Sequence, residues 1–216
     1  MRTYGDFGRY GEWVRRFDTL DHEDRKAIQD SVRLLDRPPL FSVILLPWTN
    51  LEPSLAYTSI ASICRQLYPH WELWLPHLPD ELETNADQRL RTISALPPAD
   101  GVRLFNAALA KAEGDYVLPL PSNAILGEAA LFELATLILE FPGADLLYSD
   151  EDHIDASDNR YAPRFKTDWD PDLALGRDAI GLLVAYRRTL VEQLGGMDVQ
   201  TDVAGLGTYD LSGRFF

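Results

Sequence analysis

Four carboxylates fall within six residues in the segment Ser149-Asp150-Glu151-Asp152-His153-Ile154-Asp155. From Asp145 to Asp172 the chain carries nine acidic residues against three basic ones, Arg160, Arg164 and Lys166. Hard anionic oxygens at that density suit a divalent cation, or the hydroxyl groups of a sugar. Like charges this close repel, so at least one carboxyl pKa must rise unless a cation or an arginine neutralises the group. The competing reading is a solvated acidic loop.

Three other short segments have residue types suited to ligand binding. Pro47-Trp48-Thr49-Asn50 offers polar groups to a nucleotide base or ribose, or forms a simple turn. Pro76-His77-Leu78-Pro79-Asp80 contains His77, a candidate general base; its two prolines remove backbone donors and disfavour an anion-cradling loop. Pro119-Leu120-Pro121-Ser122-Asn123-Ala124 contains no carboxylate.

These segments share a position in the pattern of elements. Phe41 to Leu46 is a short apolar run of the kind buried on both faces of a sheet. A helix is expected from Pro53 to Leu67, with proline in its first turn, then a strand over Trp71–Leu75. Asp80 to Leu96 reads as helical, as does Val102 to Ala112. Tyr116–Leu120 reads as a strand, Glu128–Glu140 as a helix and Asp145–Ser149 as a strand. Strand and helix alternating at this pace predict an α/β fold with a mainly parallel sheet flanked by helices. In such sheets ligands bind at the carboxyl ends of the strands, where all four candidate segments fall.

The first 38 residues differ in character. Asp21 to Leu35 has helical spacing, and Pro38-Pro39 stops the helix. Tyr4, Phe7, Tyr10, Trp13 and Phe17 recur every three or four residues, the spacing of one helix face. That face either packs on the chain's own sheet domain or contacts a second copy or another partner.

Composition narrows the function further. The 216 residues are 46% hydrophobic and 25% charged, an ordinary globular balance. The formal net charge of −14 argues against nucleic acid as a partner. The single cysteine, Cys64, excludes an internal disulfide and reads as an apolar filler on a helix. No apolar run reaches the length of a membrane span, and Met1 to Asp6 lacks a signal-peptide core, so a cytoplasmic location is expected.

The ordered segments resemble the family 2 glycosyltransferases, inverting enzymes of GT-A fold that use nucleotide-diphosphate sugars, in particular their bacterial polysaccharide and rhamnan-type members. The residues that carry the resemblance are Phe41 to Pro47, Ser59 to Leu73, Asn106 to Val117, Leu147 to Asp155, Pro163 to Asp172, Val184 to Arg188 and Leu194 to Asp198. Residues 1–38 have no counterpart in it and are expected, from their spacing, to be a helical N-terminal extension; over 39–216 it implies a GT-A glycosyltransferase-like domain that stops short of the helices that usually follow. It also implies a nucleotide-sugar or sugar ligand, a divalent manganese or magnesium ion, and a place in polysaccharide biosynthesis.

At the family's working positions this chain departs from the pattern. The nucleotide-contacting Asp-Asp-Gly-Ser reads His77-Leu78-Pro79-Asp80 here, and the Asp-x-Asp reads Pro121-Ser122-Asn123-Ala124. The base position holds Thr208, two residues before Asp210, and threonine cannot take a proton near neutrality. The expectation is therefore a catalytically impaired transferase, the alternative being a domain that binds sugar, nucleotide or protein without turnover. By position, Pro47, Trp48, Asn50, His77, Asp80, Ser122 and Asn123 are the expected ligand-binding residues. Asp150 and Asp152 are the candidate metal ligands. With His77 and Asp210, they are also the candidate catalytic groups.

Overall fold

Branched and aromatic residues in short runs favour pleated backbone, and those runs build the sheet. The computed structural model describes residues 7–47, 53–77, 87–93, 100–170, 172–173, 179–198 and 206–215. Its strands are β1 (Phe41–Leu46), β2 (Trp71–Leu75), β3 (Leu90–Thr92), β4 (Tyr116–Pro121), β5 (Leu146–Tyr148), β6 (Glu151–Ile154), β7 (Arg160–Arg164) and β8 (Val184–Arg187). Its helices are α1 (Phe7–Phe17), α2 (His22–Leu34), α3 (Pro53–Cys64), α4 (Gly101–Leu109), α5 (Ala130–Glu140), α6 (Arg188–Gln193) and α7 (Leu206–Gly213).

Six strands form one sheet in the order β3-β2-β1-β4-β8-β5. The pairs β1–β2, β1–β4 and β2–β3 are parallel, while β8 runs antiparallel to both β4 and β5. The two faces divide by residue parity, as side chains on a strand must. Phe41, Val43, Leu45, Leu73, Leu118 and Leu120 pack with Ile60 and Ile63 of α3 and with Leu131, Leu134 and Ile138 of α5. Ile44, Trp74, Val117, Val184 and Tyr186 pack on the other face, against Leu104, Phe105 and Ala108 of α4. This sandwich is the physical reason that the strands read as unbroken apolar runs.

One expectation is corrected by the backbone. The stretch Asp80–Leu96 was expected to be helical, yet its described part contains strand β3, at the edge of the sheet. Leu73 N–H donates to the Arg89 carbonyl and Ile93 N–H to the Leu75 carbonyl, and the Arg89 guanidinium lies 3.6 Å from the Trp71 ring centroid. Exposed polar residues on such an edge mimic helix composition. The acidic segment, read either as a cation or sugar-hydroxyl site or as a solvated loop, has its residues from Glu151 to Ile154 in the antiparallel hairpin β6–β7.

The N-terminal extension is helical as expected. Asp21 caps α2 by accepting from the Glu23 and Asp24 amides, and Asp24 returns a bond to the Asp21 amide. Arg25 of α2 then grips Glu128 on the sheet domain with an Nη2–Oε1 distance of 2.6 Å. Val32 completes the anchorage in the core.

Candidate functional site

The carboxyl edge of the sheet is shaped by two prolines. Strand β4 pairs with β1 along its whole length, from Tyr116↔Phe41 to Pro121↔Leu46. With β8 it pairs only at Tyr116↔Arg187 and Val117↔Tyr186. Ser122 N–H donates to the Leu46 carbonyl on β1, so by strand alternation residues 118 and 120 also aim their amides at β1. Residues 117, 119 and 121 therefore aim their nitrogens at β8. Two of those three are Pro119 and Pro121, which have no N–H to give. The ladder to β8 stops after Val117.

The candidates at this edge are spread along it. Pro47 is half-buried after β1, and His77 is exposed just past β2. Trp48, Asn50 and Asp80 lie outside the described residues. Ser122 is buried, and its carbonyl accepts the Ser59 hydroxyl at 2.9 Å. Asn123 beside it is exposed. On α7, Asp210 pairs with Arg214 at 3.0 Å, and the Thr208 carbonyl accepts the Ser212 hydroxyl at 2.8 Å.

The acidic segment lies past the end of β5, which is parallel to β4 through the intervening antiparallel β8. Its carboxylates are engaged by the chain's own donors. Asp150 accepts the Lys166 amide at 2.6 Å. Glu151 accepts the Arg164 guanidinium at 2.9 Å and the Leu182 amide at 2.8 Å, and lies 3.3 Å from the Lys166 ammonium. Asp152 accepts the Tyr10 hydroxyl and the Arg160 Nε, each at 2.6 Å, and the same Arg160 also reaches Asp18. Burial, and then the bond to Asp152, push the Tyr10 hydroxyl pKa up to about 12. Asp155 is held below the usual carboxylate range by the amides of Asn159 and Ser157 and the Asn159 side chain, which close its turn.

Arginine and lysine thus supply the neutralisation that the charge density demands. Among the described residues no cluster of three or more histidine, cysteine, aspartate or glutamate side chains is placed to hold a metal ion. The two candidate metal ligands are each bonded to the chain's own donors, Asp150 to the Lys166 amide and Asp152 to Tyr10 and Arg160. Tyr10 and Lys166 were not picked out as partners of the acids by sequence reasoning. The helical spacing of the N-terminal aromatics was the available signal for Tyr10.

Comparisons with known proteins place this geometry. Protein-family profiles give no match. The sequence is 35% identical over 181 residues to the O-antigen biosynthesis protein RfbC of Myxococcus xanthus, a match spanning 79% of this chain and 14% of that protein. It is 31% identical over 193 residues to the uncharacterized protein y4gI of Sinorhizobium fredii (strain NBRC 101917 / NGR234), spanning 85% of this chain and 21% of that one. The chain therefore covers only a small part of either relative's length. The S. aureus TarS 1–349 crystal structure in complex with UDP superposes with a TM-score of 0.60 at 18% identity, covering 79% of this chain and 53% of that one. The Pyrobaculum calidifontis mannosyltransferase PcManGT, solved with GDP-Man and Mn2+, gives 0.55 at 18% identity, covering 96% and 62%.

The chain has the GT-A fold that these structures share. Strands β1, β2 and β4 present their carboxyl ends to one edge, where Pro47, His77, Ser122 and Asn123 lie. Among its described residues, no helix is long and apolar enough to cross a membrane.

Proposed function

We propose that this domain binds a nucleotide-sugar, or its sugar, within polysaccharide biosynthesis, and that its own transfer chemistry is impaired. The observation that carries the reading is the end of β4. There Pro121, Ser122 and Asn123 stand where the family resemblance calls for paired carboxylates, and the buried Ser122 spends its backbone amide and carbonyl on β1 and α3. A neutral loop gives a leaving diphosphate no metal-borne charge stabilisation, ordinarily worth several kcal/mol. Thr208 removes a general base, a loss of about 10²–10⁴-fold in rate.

The position of Pro121, Ser122 and Asn123 at the carboxyl ends of parallel strands supports retention of binding, since ligands of such sheets sit there whether or not catalytic groups are present. The likeness to an O-antigen biosynthesis protein supports the polysaccharide context. Calorimetric titration with UDP- and dTDP-sugars, with and without manganese, tests the proposal. Metal-independent binding without release of free nucleotide diphosphate is expected. Binding that requires manganese and is followed by turnover would overturn the impairment, and no binding of any nucleotide or sugar would overturn the whole reading.

A further inference from the structure

We propose that α1 is a membrane-surface anchor, lying along the headgroup region of an anionic bilayer. Trp13 and Phe17 reach toward the acyl boundary, and Arg9 and Arg16 meet lipid phosphates. The inference adds a docking surface to the ligand-binding reading above and does not depend on it.

Helical spacing decides which side chains share the surface. Arg9, Trp13 and Arg16 follow one another at i, i+4 and i+7 and form one line along α1, with Phe17 beside it, four residues after Trp13. Tyr10 turns to the hairpin instead, where its hydroxyl bonds Asp152, and Asp18 just past α1 pairs with Arg160. The helix is thus held by one side and open on the other. On the open side Trp13 and Phe17 are 41% and 64% exposed, and Phe165, 60% exposed and next after β7, meets Trp13 at 5.9 Å.

Charge and ring geometry choose the partner. The helix carries three arginines against Glu12, on a chain whose net charge is −14. At physiological ionic strength charges are largely screened beyond about 8 Å, so a surface touching α1 meets its arginines rather than the charge of the whole chain. Among the described residues Arg16 is in no ion pair, and its guanidinium stands 5.1 Å from the Phe17 centroid. An exposed cation beside apolar rings calls for an anion beside an apolar phase. A bilayer with anionic lipids supplies both, phosphates at the surface and acyl chains beneath them.

The tilt of the rings points the same way. Trp13 and Phe17 are inclined at 42°, and Trp13 and Phe165 at 75°. Rings so tilted offer no common plane to a rigid ligand, whereas a fluid acyl boundary conforms to them. Nucleic acid has the phosphates, but its bases would have to stack on rings that share no plane.

The test is flotation of the full chain with vesicles of phosphatidylcholine alone, and of phosphatidylcholine carrying phosphatidylglycerol. The anionic vesicles should lift the protein at low salt, the neutral ones should not, and salt of about 0.5 M should release it. Arg16→Gln should weaken binding about fivefold, the worth of one basic side chain at an anionic surface. Phe17→Ala should weaken it about tenfold, and Phe141→Ala, an exposed ring elsewhere on the chain, should leave it unchanged. Circular dichroism melts matching wild type show that each variant is folded. No flotation with anionic vesicles, flotation indifferent to vesicle charge, or equal flotation of wild type, Arg16→Gln and Phe17→Ala would overturn the proposal. So would a dimer in sedimentation analysis that Phe17→Ala dissolves, since the open side of α1 would then be a self-contact. Nucleotide-sugar titration of Phe17→Ala should match wild type, so the failure of either reading leaves the other standing.

Discussion

The Lys166 ammonium, whose side chain is 5% exposed, sits 3.3 Å from the Glu151 carboxylate. It also donates to the carbonyls of Ser149 and Ile180, at 3.2 and 3.1 Å. A buried ammonium is tolerated only when paired and fully hydrogen-bonded, and this arrangement satisfies all three of its donors. Gly181 makes it possible, because a Cβ there would come within 2.2 Å of the ammonium and 2.5 Å of Glu151.

Gly181→Ala is therefore expected to destabilise the fold. Its φ of +86° adds backbone strain to the clash. A loss of about 2 kcal/mol corresponds to a melting temperature lower by about 4–8 °C for a chain of this size. Gly143→Ala, which meets nothing within 4 Å, should change melting by no more than about 1–2 °C. Circular dichroism melts of the two variants decide the matter.

Asp152→Asn should release α1 without unfolding the sheet. The change weakens the bond to Arg160 and removes the anion that Tyr10 serves. Hydrogen–deuterium exchange across residues 7–17 should accelerate about tenfold while β1 and β4 keep their protection. Equal protection of α1 in both proteins would show that its ring contacts alone hold it.

Pro121→Asp combined with Asn123→Asp should restore a cation site at the end of β4. A carboxylate at the buried position 121 is costly without a counter-ion, so the double variant should melt lower than wild type. Manganese should then raise its melting temperature and leave the wild type unmoved, because a ligand bound only by the folded state stabilises it by mass action. No manganese response in the variant would show that this edge is not the metal position.

Stability near the N-terminal extension should fall in acid through Glu128. The Arg25 side-chain hydrogen bond holds its carboxyl below the ordinary value of 4.5. A carboxylate whose folded pKa is depressed contributes stability that is complete above its unfolded pKa and is lost as pH falls through the folded one. Denaturant titrations of wild type and Glu128→Gln should thus differ at pH 7 and converge only as the pH falls through the depressed folded value, below 4.5.

Most of the sheet was legible because its strands are buried on both faces, and unbroken apolar runs such as Phe41–Leu46 and Tyr116–Leu120 have few other uses. Edge elements were not, since Leu90–Thr92 has only one paired side and carries polar residues that suit several conformations. The same limit applies to the acids. Four close carboxylates announce a need for positive charge but not its source. Here it comes from Arg160, Arg164 and Lys166 across a hairpin whose pairing no local spacing predicts. The prolines of β4 were visible from the start, yet their effect appears only once the neighbouring strand on that side is known.

The contacts of α1 also have a temporal side. Tyr10 with Asp152 and Asp18 with Arg160 are each separated by 142 residues. A ribosome adding about 5–20 residues per second needs roughly 7–30 s to make the second partner after the first. Through that interval the aromatic helix is on the nascent chain with its landing surface not yet made. Docking of α1 is thus a late event in biosynthesis, and during that interval Trp13 and Phe17 are open to chaperones or to neighbouring nascent chains.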